Sequence, residues 1–222
     1  MINKIGGIKR FFFTASGLIP VLFILFLVMA QWPRWWIWTV PELTPLAWMQ
    51  SVLLFFTGVI ALESALCEHL KDHPKESFNW TLLGIGFLYF CLDERFAFHE
   101  RLRDKVLVPL GFKIPGLFWV APGDYLMLVF MVLGIALVPR FIELFEQDRS
   151  AKSIFYAAIG LSALAIIADS FDYKVYSIEI QRLEQFWEQM VKTAAMVLFL
   201  NAFMQRFLPH LICRSDILHP EV

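Results

Sequence analysis

The sequence predicts an all-α fold: a polytopic membrane helical bundle of six transmembrane helices in one domain, residues 1–222, with both termini cytoplasmic. Three observations carry this. The chain is 59% hydrophobic and 16% aromatic, whereas a soluble domain averages about 45–50% apolar. Its apolar residues gather in runs of about 20, the length that crosses a bilayer. The connections between runs are short with one exception, so neighbouring helices should run antiparallel. A net charge of −1 provides no basic footprint for nucleic acid. The cysteines Cys67, Cys91 and Cys213 lack CxxC spacing and are expected to be free, buried thiols.

The first span is expected over residues 16–38, behind Lys4, Lys9 and Arg10. Its apolar run is long for a signal peptide, and Val28-Met29-Ala30 is only a fair cleavage site, so it reads as a retained helix. Trp32, Trp35, Trp36 and Trp38 then form an aromatic belt at the interface. The second span covers 45–67. The third covers 78–100, with Gly84 and Gly86 as packing residues. Residues 101–121 are interrupted by Pro109, Gly111, Pro115 and Gly116, too often to span, and read as an interfacial segment suited to be a lid. The last three spans are 122–142, 152–172 and 184–208.

Basic residues set the orientation. Lys4, Lys9, Arg10, Lys71, Lys75, Arg140, Arg149, Lys152, Arg206 and Arg214 fall on one side. Arg34, Arg101, Arg103, Lys105, Lys113, Lys174 and Arg182 fall on the other. The excess places the termini inside and the protein in a cell inner membrane.

The anomaly is acid inside the apolar runs. Leu92-Asp93-Glu94-Arg95-Phe96-Ala97-Phe98-His99-Glu100 closes the third span, Asp169 and Asp172 close the fifth, and Glu184, Glu188 and Lys192 open the sixth. A charge in a bilayer costs a few kcal/mol or more. At about 1.5 Å of rise per residue, these groups share one layer near the outer face, with Gln50, Ser51 and Asp124 beside it. A continuous helix would put Asp93 and Glu100, seven apart, on one face. Glu188 and Lys192 have the i,i+4 order of a helical ion pair, and Lys192 also matches the depth of Asp93.

Three chemistries suit such a layer. Excess carboxylates can hold a divalent metal ion, and a lone His among them suits Fe, Mn or Zn, or Ca if the ligands are all oxygen. The metal ligands would be Asp93, His99, Asp169, Asp172, Glu184 and Glu188. Glu94 or Glu100 would act as general base, with Lys192 tuning the charge of the catalytic set. Crowded carboxylates can instead hold a proton and relay it. Finally, the acids can simply be ion-paired, in a non-catalytic membrane subunit that docks a partner subunit. No Glu-x-x-His, P-loop or dinucleotide fingerprint occurs, so no di-iron pattern or nucleotide is expected, and with His99 alone in the layer a bis-His haem lacks its axial ligands. An enzyme at this position would meet the lipid bilayer and take a lipid or other apolar substrate, as a metal-dependent hydrolase or oxidoreductase.

The string Leu92-Asp93-Glu94 followed by His99-Glu100, with Glu184 and Glu188 entering the final helix, resembles a group of uncharacterised bacterial multi-helix membrane proteins. That resemblance implies an integral membrane protein and no particular activity. In layout alone the chain is distantly similar to the alkaline ceramidase-like membrane metal hydrolases. It has their Asp and Ser types but lacks their histidines and one helix.

Overall fold

The computed structural model describes residues 2–111, 114, 116, 124–169 and 176–218. Among these, seven α-helices follow one another: α1 (Ile2–Ala30), α2 (Pro45–His69), α3 (Pro74–Phe96), the short α4 (Phe98–Leu102), α5 (Asp124–Glu143), α6 (Arg149–Asp169) and α7 (Ile178–Leu218). A 3-10 turn, Trp35–Trp38, separates α1 from α2, and a π-helical turn, Arg103–Leu107, continues α4. The described residues contain no strand.

Local chemistry sets the helix ends. Pro33 lies just past α1 and lacks the N–H that would continue it, so the Trp cluster forms a separate turn rather than the end of a span reaching residue 38. Thr44 caps α2 by accepting from the amide of Ala47 at 3.4 Å, and Pro45 occupies the first helical position. Asp148 caps α6, accepting from Ser150 (3.0 Å) and Ala151 (3.1 Å), while its other oxygen takes Lys9 at 3.0 Å. Burial works against this carboxylate, yet the Ala151 amide and Lys9 hold its pKa below the usual range.

Four helices are long and apolar enough to cross a membrane: Gly6–Ala30, Pro45–His69, Tyr125–Glu143 and Arg149–Ala168. Inside the molecule, 61% of the apolar window of α2 is buried, but only 17% in α1 and 11% in α5. The outer helices therefore present apolar surface to their surroundings, and α2 lies within. The expected third and sixth spans fall outside this set of four. They correspond to α3 and α7, which carry Asn79, Asp93 and Glu94, and Glu188, Lys192 and Asn201. These two can be more polar because they pack on neighbours, α3 against α2 and α7 against α1, α2 and α6. At 41 residues, α7 is about 60 Å long, twice the ~30 Å hydrocarbon core.

Two ends of the bundle follow from the contacts. The upper end holds residues 31–44, α4 and the start of α7. The lower end holds residues 70–73 and 144–148 and the lower part of α7, where Arg206 Nε donates to Leu144 O at 2.9 Å and Lys75 meets Glu143 at 2.6 Å. Midway, Asn201 donates to Ser16 Oγ at 2.9 Å, tying α7 to α1. In the lower half, Trp80, Phe145, Phe155 and Phe203 interlock, with Phe145 stacked on Phe155 at 4.4 Å and Trp80 edge-on to Phe203 at 5.3 Å.

Helices α2 and α3 approach closely at Gly58 and Gly84. A Cβ on Gly84 would meet Leu62 Cδ2 at 2.6 Å and the carbonyl oxygen of Gly58 at 3.2 Å. Gly58 faces it and is equally confined, by Leu88 and the Gly84 carbonyl. Gly86, also expected to pack, faces open space. Cys67 and Cys91 are free and half-buried; the side chain of Cys213 lies outside the described residues.

Gly84→Val should therefore lower the thermal midpoint in detergent, at a cost of about 1–3 kcal/mol from overpacking. Gly86→Ala should be neutral or stabilising. Equal tolerance of both changes would contradict the close approach.

Candidate functional site

The site begins with a break in the chain. The helix expected to run to residue 100 ends at Phe96, because Ala97 adopts a left-handed conformation (φ 50°, ψ 50°). That conformation costs a non-glycine residue about 1–2 kcal/mol. Asp93 offsets it. Its backbone oxygen accepts the Ala97 amide at 2.6 Å, and its carboxylate reaches over the break to α4. Asp93 Oδ1 accepts the His99 amide at 2.9 Å, and Oδ2 lies 2.8 Å from His99 Nδ1. Asp93 is only 2% exposed, so a carboxylate that would be costly alone is matched on both oxygens.

This arrangement fixes the imidazole. With Nδ1 on a carboxylate, Nδ1 is the donor and Nε2 is the free ring nitrogen. Nε2 faces Glu42 Oε1 at 3.7 Å, in the loop before α2. Glu100 lies beside Glu42, and two neighbouring carboxyl groups favour holding a proton between them. Burial, then the charge of Glu100, push the Glu42 pKa up to about 8, against the pull of His99 and Lys192. Glu100 also accepts from Arg103 at 3.2 Å. From α7, Lys192 forms an ion pair with the buried Glu188. Glu94, half-buried on α3, has Lys192, Asp93, His99 and Glu188 as its charged neighbours.

The structure thus gathers Asp93, Glu94, His99, Glu100, Glu188 and Lys192 at the upper end, as their depths suggest. It corrects their relations. Asp93 and Glu100 do not share a helix face, since the break at Ala97 turns α4 back. Lys192 pairs with Glu188, and the partner of Asp93 is His99. Among the described residues, no three His, Cys, Asp or Glu side chains group to hold a metal ion. The reason is that Asp93 spends both oxygens on His99 and Glu188 engages Lys192. Glu184 is half-buried on α7. The Asp169 side chain and Asp172 lie outside the described residues, as does most of 112–123 in the segment read as a lid. Asp124 opens α5, its side chain likewise not described. Gln50 joins α7 by donating to Gln189 Oε1 and Thr193 Oγ1, each at 3.0 Å, while its own Oε1 is a buried acceptor without a hydrogen-bond partner among the described residues. Ser51 only bonds back to Ala47 O at 2.9 Å.

Glu42 is the member that sequence reasoning missed. It stands alone in Pro41-Glu42-Leu43, outside any apolar run, so no intramembrane acid flagged it. The one available signal was its place directly after the Trp cluster, at the same interface as Glu100.

A second polar group closes the lower end. Buried Glu68 meets His73 Nδ1 at 2.8 Å, Lys71 at 3.3 Å and Arg206 at 3.8 Å, beside a cleft of about 160 Å³. The aromatic cluster of Trp80, Phe145, Phe155 and Phe203 packs against this cleft, which Trp80 itself lines.

Fold and site together define a helical protein of membrane type with a buried acid–base cluster at one end. The chain belongs to a family described as a domain of unknown function, DUF8692, whose profile matches residues 11–207. No curated protein and no solved structure matches it.

Two outcomes follow. Asp93→Ala should lower stability by about 2–3 kcal/mol, the worth of charge-assisted bonds, and Asp93→Asn should recover part of it by still accepting the His99 amide. Thermal melts of both variants in detergent test this. Glu42 titrates with the opposite sign to an ion-paired acid. Because its folded pKa is raised, its contribution is complete at low pH and is lost as pH rises from the ordinary carboxylate range through about 8. The thermal midpoint should fall across that window more in the wild type than in Glu42→Gln.

Proposed function

We propose that this chain is a six-span inner-membrane protein, both termini cytoplasmic, whose upper end faces outward and carries out proton-transfer chemistry centred on His99. The observation that supports it most is the double engagement of His99 by Asp93. A carboxylate on Nδ1 orients an imidazole, selects its tautomer and leaves Nε2 to take or give a proton. Glu42 and Glu100 supply a proton-bearing pair beside Nε2. The Glu188–Lys192 ion pair supplies a balanced charge next to Glu94. The polar head of an amphiphilic molecule arriving from the lipid is the substrate class that such a site, set among apolar helices at an interface, would meet.

The chemistry is one-sided in this reading. Trp80, which lines the Glu68 cleft, interlocks with Phe145, Phe155 and Phe203 on the side of the cleft toward the bundle interior. Those rings offer no chain of hydrogen bonds along which a proton could cross. The upper cluster is therefore better suited to acid–base work on a bound molecule than to conduction.

Solution NMR with ¹⁵N-histidine should find His99 carrying its proton on Nδ1, with that signal lost in Asp93→Ala. A neutral His99 protonated on Nε2 would sink the proposal. Proteoliposomes should hold a pH gradient as tightly as protein-free vesicles. A leak abolished by His99→Asn would establish a transmembrane path instead.

A further inference from the structure

Between α1 and α2 the chain crosses the upper end as a strap, residues 31–44, and this strap delivers Glu42 to His99. It is held at two points on the first turns of α7. The Arg182 guanidinium lies 3.9 Å from the centroid of the Trp36 ring, and Trp35 meets Phe186 edge-on at 5.1 Å. Thr39, 1% exposed, braces the turn by donating to Trp35 O at 2.9 Å. Beside Glu42 the backbone is strained, since Leu43 has φ 61° without being glycine. Leu43 is also 51% exposed, so burial of its side chain does not account for that conformation. A strained turn persists only where its surroundings hold it; Trp38 packs on Leu27, Leu46 and Met49 and Val40 is buried, while the two aromatic clasps on α7 and the approach of Glu42 to Nε2 hold the side of the strap that faces the site.

We propose that residues 31–44 form a lid over the acid–base site, closed by the Trp35–Phe186 and Trp36–Arg182 clasps, with Glu42 as the positioning residue that covers Nε2 of His99. This rests on the reading of His99 as the proton-transferring group. Opening the lid releases Glu42 from His99 and uncovers Nε2 toward the interface where Trp32 and Leu43 are exposed. That is the direction from which the polar head of an amphiphile would enter. The lid assigns a role to the aromatic clasps, which touch neither His99 nor its carboxylate partners and so take no part in the proton transfer itself.

Carbethoxylation by diethyl pyrocarbonate tests this on the full chain in micelles at a fixed pH, with each histidine followed by mass spectrometry. The exposed His69 is the internal reference. In the wild type His99 should react more slowly than His69. Phe186→Ala removes one clasp and Arg182→Gln the other, and each should speed His99 by about three- to tenfold, as the open fraction grows. Trp187→Ala removes an exposed aromatic from the same helix and should leave the rate unchanged. A wild-type His99 as reactive as His69 would overturn the lid, as would no acceleration in the clasp variants or equal acceleration in Trp187→Ala. The Nδ1 proton signal reports separately on the Asp93–His99 pairing. Loss of the lid with that signal intact therefore leaves the acid–base reading standing.

Discussion

A charge held among apolar helices costs several kcal/mol unless a partner or a proton meets it, and that cost orders this bundle. Polar groups are pushed to two ends. At the upper end Asp93 is matched by His99, and Glu188 by Lys192. At the lower end Glu68 is surrounded by Lys71, His73 and Arg206. Beside the lower group the structure interlocks aromatic rings, and the small Ser16–Asn201 bond ties α1 to α7. The helices that carry the polar groups, α3 and α7, pack among more apolar ones.

The Asp93–His99 contact joins local structure to chemistry. One carboxylate closes a helix break, caps the following helix and selects an imidazole tautomer. These are not separable roles. The break at Ala97 is what turns His99 back toward Asp93, and the capping bond is what makes the break tolerable. Rigid placement of a working side chain by the backbone that carries it is the usual demand of an acid–base site. It is met here without a metal ligand set among the described residues.

Much of the bundle was legible in the chain. Apolar runs of bilayer length located the helices to within a turn or so at most ends, and of the groups the depth count assigned to one layer the structure brings four acids, a histidine and a lysine together. Glu188 and Lys192 pair as their i,i+4 spacing requires. The failures have physical causes. Ala97 carries neither proline nor glycine, so nothing local announces the break, and a continuous helix gave the wrong face for Glu100. Glu42 lies in a loop, where an acid is unremarkable until the fold brings it to His99. Gly86 has the same composition signal as Gly84 but the opposite environment.

What the amino-acid sequence determined alone is the class of structure and one of the two ends at which polarity collects, because helix length, hydropathy and rise per residue are local properties summed along the chain. What only the tertiary structure decided is who pairs with whom. Whether Asp93 meets Lys192, a metal or His99 depends on the angle at which the chain leaves α3 and on a loop folded over α7. Those are set by contacts between segments far apart in sequence, which no local pattern encodes.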